Sequence, residues 1–95
     1  MPAWRFLTNH AVVFILINRH RQITTREIAA SLNITERTVL RIINDLEQDG
    51  YIQRRKSGRA NNYHVNPDRP LSHPNLGSVP VAELLRLFPL PDVTD

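Results

Sequence analysis

Cysteine is absent from this 95-residue chain, which excludes a disulfide framework and thiolate metal sites and suits a reducing compartment. Long apolar runs are missing too. The run over residues 11–17 is far short of the roughly 20 residues that span a bilayer. Polar Thr8, Asn9 and His10 precede it, Asn18 to Arg21 follow it, and no small-residue cleavage site comes after, so it does not read as a signal-peptide core either. These absences point to a soluble, cytoplasmic protein with no membrane partner. There are three glycines and no glycine-rich phosphate loop, and no Ser/His/Asp set or paired carboxylates stand at a useful spacing. An enzyme is not expected. The four histidines, His10, His20, His64 and His73, are scattered. His10 and His20, ten apart on one helix, are turned roughly 80° from each other at 3.6 residues per turn. No metal site and no cofactor are expected from them.

Acidic residues are scarce where basic ones are concentrated. Residues 1–69 hold 11 of the 12 lysines and arginines and 6 of the 9 acids, a surplus of five positive charges, whereas residues 70–95 carry a net −2. A modest surplus alone says little about nucleic acid; its placement says more. Ninety-five residues allow one small domain with little apolar core to spare.

What is present is a series of helix signals. Thr8 is placed to cap a helix running to about His20, apolar almost all round, which a surface helix of a small monomer should not be. Its second side needs a cover, from the C-terminal segment or from another copy of the chain. Gln22-Ile23 is short and β-compatible. Thr24 and Glu27 then stand at capping-box spacing, opening a helix to about Leu32. Asn33-Ile34-Thr35 makes a break, and Thr35 caps a further helix over 36–49 with Gly50 beyond its end. In that helix Val39, Ile42, Ile43 and Leu46 form a buried stripe at i, i+3, i+4 and i+7. Arg37, Arg41, Asn44 and Gln48 repeat on another face. Beyond Gly50, alternation at Tyr63 and Val65 about a Ser57-Gly58 turn predicts a β-hairpin, the wing, over 53–63.

From Pro67 the composition shifts, with six of the seven prolines at 67 or later. Residues 67–78 read as an extended connector. Ser78-Val79-Pro80 opens a last helix with Val81, Leu84, Leu85 and Phe88 as its apolar stripe, stopping at Pro89. The expected fold is mainly α with a small β-hairpin: a winged helix-turn-helix over 1–66, a connector over 67–78, and an extra C-terminal helix and tail over 79–95 for dimerisation or packing.

Ile28, Ala29, Leu32, Ile34, Val39 and Ile42 match helix-turn-helix spacing, with Asn33 where that pattern usually has glycine; asparagine tolerates the left-handed conformation. The stretches LTNHAVVF, ITERTVLRIINDLEQDGYI and SGRANNYHVNP, with the later LSHP and VAELLRLF, resemble a group of short bacterial winged-helix regulators of the MarR-like or ArsR-like kind. The resemblance covers nearly the whole chain. It implies sequence-specific binding of double-stranded DNA by a cytoplasmic, dimeric protein, most often a repressor. The homodimer would form through the N-terminal arm with Trp4 and Phe6, the first helix and the C-terminal helix.

Arg37 and Arg41 are the candidates for base edges in the major groove, since the arginine fork matches guanine O6 and N7. Thr38 and Asn44 are candidates for bases or phosphates, and Thr35 with its neighbouring amides for a phosphate. Leu40 is placed against a thymine methyl or as a packing residue, and Arg26 is within reach of the backbone. Arg54, Arg55, Lys56 and Arg59 surround the hairpin turn and are assigned to phosphates or the minor groove. The bland alternatives are a solvated helix face whose arginines pair with Glu36, Asp45 or Glu47, and an edge strand blunted by charge. A winged helix serving as a protein-interaction module is the competing function.

Overall fold

The computed structural model describes residues 4–57, 60–71, 75 and 77–88. Four helices and one hairpin follow in the order α1 (Asn9–Arg19), α2 (Thr25–Leu32), α3 (Glu36–Gln48), β1 (Ile52–Ser57), β2 (Ala60–Val65) and α4 (Val81–Arg86). Each of the first three helices begins at a threonine that spends its hydroxyl on an otherwise unpaired amide. Thr8 Oγ1 accepts from Ala11 N at 3.1 Å, Thr24 Oγ1 from Glu27 N at 3.1 Å, and Thr35 Oγ1 from Thr38 N at 3.1 Å. At α2 the capping box is complete, because Thr24 N donates back to Glu27 Oε1 at 2.9 Å.

The helix ends are equally local. Asn33 adopts φ 55°, ψ 47°, and Ile34 N donates to Ala29 O at 3.1 Å, closing α2 with a left-handed residue that is not glycine. Gly50, at φ 84°, does the same for α3: Gly50 N reaches Glu47 O at 3.1 Å and Tyr51 N reaches Leu46 O at 2.9 Å. That paired return is a Schellman motif, and it turns the chain directly into the hairpin.

The core gathers Val13, Phe14, Ile15 and Ile17 of α1, Ile28 and Ala29 of α2, and Val39, Ile42, Ile43 and Leu46 of α3. Ile52, Tyr63 and Val65 of the hairpin and Val81 and Leu85 of α4 complete it. α1 touches α2, α3 and β2, and its Val13, Phe14, Ile15 and Ile17 are buried while Ala11, Val12 and Leu16 are half-buried.

Two further differences from the sequence reading are local. Gln22-Ile23 is no strand but part of a turn, in which Ile23 N donates to His20 O at 2.9 Å. The connector is held at both ends: Leu71 N donates to Val79 O at 2.8 Å, Val81 N to Arg69 O at 2.7 Å and Ala82 N to Pro67 O at 3.1 Å. Those bonds bring α4 back onto the core. The hairpin register pairs Ile52 with Val65 and Ser57 with Ala60; residues 58–59, and with them part of the expected Ser57-Gly58 turn, and the tail from Pro89 lie outside the described residues.

The left-handed position gives the first prediction. Asn33→Gly should hold or raise the urea midpoint, whereas Asn33→Val should destabilise by about 1–2 kcal/mol, because a β-branched side chain fits the left-handed region far worse than asparagine does. Equal midpoints for the two variants would show that the turn is not left-handed in solution.

Candidate nucleic-acid interface

The stripe Val39, Ile42, Ile43 and Leu46 is buried against the rest of the domain, so the opposite face of α3 must look outward. Arg37, Arg41, Asn44 and Gln48 are all exposed there. Residues 37, 41 and 44 are spaced i, i+4 and i+7 and form one row. Among the described residues Arg37 and Arg41 hold no hydrogen bond or ion pair. The acids named as their possible partners are elsewhere. Asp45 lies 2.9 Å from His10 Nε2 on α1, and Glu47 pairs with Arg54 at 2.8 Å. Glu36, in the first turn of α3, pairs with neither arginine. The two guanidinium groups therefore stand as open cations on a rigid helix face.

At the start of that helix Thr35 and Thr38 are linked hydroxyl to hydroxyl at 2.9 Å while Thr35 caps the first turn. Thr38 is half-buried and Thr35 exposed. Their side chains are engaged in the cap, which leaves the first-turn amides and the positive helix end as the groups offered to an anion. Leu40 is 41% exposed beside Arg41, so it is not a core packing residue. Arg26 is exposed on α2.

The wing divides its basic residues. Alternation along β1 puts Ile52 and Arg54 on one side and Gln53 and Arg55 on the other. Ile52 is buried and Arg54 half-buried, opposite the buried Tyr63, whereas Gln53 and Arg55 are exposed. Arg54 Nη2 donates to Glu47 Oε1 and to Asn44 Oδ1, both at 2.8 Å, and Arg54 N donates to Glu47 Oε2 at 3.1 Å. Arg54 is thus turned toward α3 with its charge matched by Glu47. The guanidinium is half-buried on the inner side of the hairpin, so a phosphate would have to compete with Glu47 for it. Arg55 points out, with a long 3.5 Å approach to Gln53 Oε1. Arg59 and the side chain of Lys56 lie outside the described residues.

The Asn44–Glu47–Arg54 cluster was missed by reading charge alone. Its signal was present in period two, since Arg54 falls two residues after an apolar strand residue and across from Tyr63. The link between His10 and Asp45 had no local signal, being 35 residues apart.

The cluster leaves an electrostatic mark. Glu47 titrates below its ordinary value, chiefly because Arg54's backbone N–H binds the carboxylate, with the guanidinium's hydrogen bond and charge adding to this against the opposing effect of burial. Glu27 is likewise held low by the backbone amide and hydroxyl of Thr24.

Residues 11–53 match the family model described as winged helix-turn-helix DNA-binding. A riboflavin kinase of Thermococcus kodakarensis is 41% identical over 51 residues, which make up 54% of this chain and 24% of that protein. The chain thus spans about a quarter of the length of this curated relative. The crystal structure of MepR, described as a transcription regulator of the Staphylococcus aureus multidrug efflux pump MepA, aligns with a TM-score of 0.55 at 22% identity. That alignment covers 62% of this chain and 46% of MepR, and at this identity the likeness is one of fold. The fold is a winged helix-turn-helix. The residues matched by that family model run from α1 through α2 and α3 to the start of the wing. Among the described residues no helix is long and apolar enough to cross a membrane.

Lowering a carboxyl's folded-state pKa adds stability above its unfolded value and forfeits it as pH falls through the folded value. Glu47→Gln should therefore lower the urea midpoint at pH 7, and its gap to the wild type should close once pH drops well below the ordinary 4.5. A gap that persists unchanged to pH 2 would mean that the ion pair with Arg54 contributes nothing.

Proposed function

We propose that the chain is a sequence-specific double-stranded-DNA-binding transcription regulator, with α3 in the major groove and the wing on the adjacent backbone or minor groove. The observation that carries this reading is the pair of open cations, Arg37 and Arg41, on the exposed face of α3 while Asp45 and Glu47 are occupied by His10 and Arg54. A rise of about 1.5 Å per residue sets the two arginines roughly 6 Å apart along the helix, close to two base-pair steps. A bidentate arginine–guanine contact discriminates by about 1–3 kcal/mol. Thr35 and the first-turn amides suit a phosphate, and Arg55, Lys56 and Arg59 supply the wing's charge. The role named for MepR, a transcription regulator, supports the same use of the fold. Repression follows by occupancy, a bound protein excluding others from its site. Such a target would place the protein's action in the cytoplasm with the genome. Nothing in the reading calls for catalysis, and the match to a kinase is confined to 51 residues.

The protein would act as a homodimer, putting two recognition helices about one DNA turn apart, roughly 34 Å. Trp4 and Phe6 support this: they stack edge to face at 4.8 Å yet are 62% and 91% exposed. Leu87, 71% exposed at the end of α4, adds a third apolar group available to a second copy.

Selection of bound duplexes from a random pool should enrich one motif. Arg41→Ala should relax one position of it, costing about 1–3 kcal/mol on the best duplex. Lys56→Ala should weaken all duplexes alike and reduce the salt slope by about 1. If no motif is enriched at low salt, the protein is better described as an interaction module. The dimer has its own check: Trp4→Ser with Phe6→Ser should shift sedimentation toward the monomer and leave the fold's circular dichroism intact. A wild type that sediments as a monomer at high concentration would remove the pairing.

A further inference from the structure

Arg54 does more than tie the wing to the helix, because of where its second hydrogen bond ends. A guanidinium has donors and no acceptor, so the atom of Asn44 that faces Arg54 Nη2 at 2.8 Å is the amide oxygen. The same nitrogen spends its other hydrogen on Glu47 Oε1, and Glu47 Oε2 is in turn held by Arg54 N. The guanidinium is thereby fixed from two directions. Asn44 itself is exposed on α3, and in a planar amide whose oxygen is turned to the wing Nδ2 must point away from Arg54.

We infer that Arg54 is a positioning residue that locks the Asn44 amide nitrogen outward, so that the row Arg37, Arg41 and Asn44 offers the DNA donors alone and selects guanine over adenine where Asn44 meets a base. An asparagine free to rotate reads adenine, accepting from N6 with its oxygen while donating to N7 with its nitrogen. A locked donor meets the adenine N6 amino group donor to donor. Guanine instead offers two acceptors, O6 and N7, to the two hydrogens of Nδ2. The inference rests on α3 being the base-reading element, and its chemistry is distinct from the usual pairing of asparagine with adenine.

The test is duplex selection with the wild type, Asn44→Ala, Arg54→Met and Arg41→Ala. The position whose preference is lost in Asn44→Ala is the one facing Asn44. There the wild type should favour guanine over adenine by about tenfold or more, within the range expected of one well-made base contact. Arg54→Met keeps the side chain's apolar stem but frees the amide, and should bring adenine to parity or above at that position alone. A merely structural role for Arg54 would weaken every position together. The inference is overturned if the wild type prefers adenine there, if Arg54→Met leaves that preference unchanged, or if Asn44→Ala alters no base preference. The comparison of guanine and adenine duplexes uses the unaltered chain, so it holds even if Arg54→Met fails to fold. If Arg41→Ala shifts the motif while the Asn44 and Arg54 variants do not, only the present inference fails. If Arg41→Ala also changes nothing, the groove assignment of α3 has failed first.

Discussion

The rotation of α3 about its own axis decides what the molecule can touch, and four side chains hold it. Val39, Ile42, Ile43 and Leu46 are each at most 9% exposed, and burying side chains of this size contributes about 1.5–3 kcal/mol apiece. Rotating the helix by one residue's 100° would bring part of that stripe into water and carry Arg37 or Arg41 toward the core. An unpaired buried cation costs several kcal/mol. Hydrophobic burial and charge solvation therefore favour the same orientation, and the outward face follows from the inward one. Caps refine this by fixing the helix's length: Thr35 sets its start, and the Schellman turn at Gly50 sets its end.

The wing depends on the same helix. Ile52, Tyr63 and Val65 belong to the core that the α3 stripe fills, and Arg54 binds both Asn44 and Glu47. An isolated two-stranded hairpin is marginally stable in water. Here it gains its stability from one apolar face and one ion pair, both supplied by neighbours. α3 and the wing consequently form one surface, with Glu47 sitting at their joint. The C-terminal segment extends that logic, since the bonds from Leu71, Val81 and Ala82 return α4 to the shared core.

Short-range chemistry was legible in the sequence. Thr8, Thr24 and Thr35 announce helix starts because a hydroxyl there has one best use, and Asn33 and Gly50 announce ends because few residues tolerate positive φ. The α3 stripe was legible because its spacing is that of a helix face. What escaped was decided by partners distant in the chain. Gln22-Ile23 has β-compatible residues but pairs with no strand, its backbone being taken by the turn from His20. The apolar excess of α1 was visible, yet its cover by β2 was not, because that requires the hairpin to fold back across some 50 residues. Arg54 was read with its basic neighbours because composition does not report which way a strand side chain points. Strand alternation does, and Tyr63 across the ladder gives the phase.

The pairing of Arg54 with Glu47 bears on how charge should be weighed in a small basic domain. A cation contributes to DNA affinity by releasing counterions when it meets a phosphate, and the salt dependence counts such meetings rather than basic residues. Arg54 already has Glu47 at 2.8 Å, so bringing it to a phosphate would first require breaking an ion pair and leaving a carboxylate behind, close to the DNA. The net gain would be small. Arg37, Arg41 and Arg55 have no acid within ion-pair distance among the described residues, and each would bring its full charge. The acids of this chain are few, and α3 carries Glu36 in its first turn with Asp45 and Glu47 further along, where free carboxylates would repel a phosphate backbone. Tying Glu47 to Arg54 offsets that repulsion there without removing the acid, while Asp45 is engaged by a hydrogen bond with His10. The positive field of the outer face thus depends as much on where the negative charges are bound as on the count of arginines.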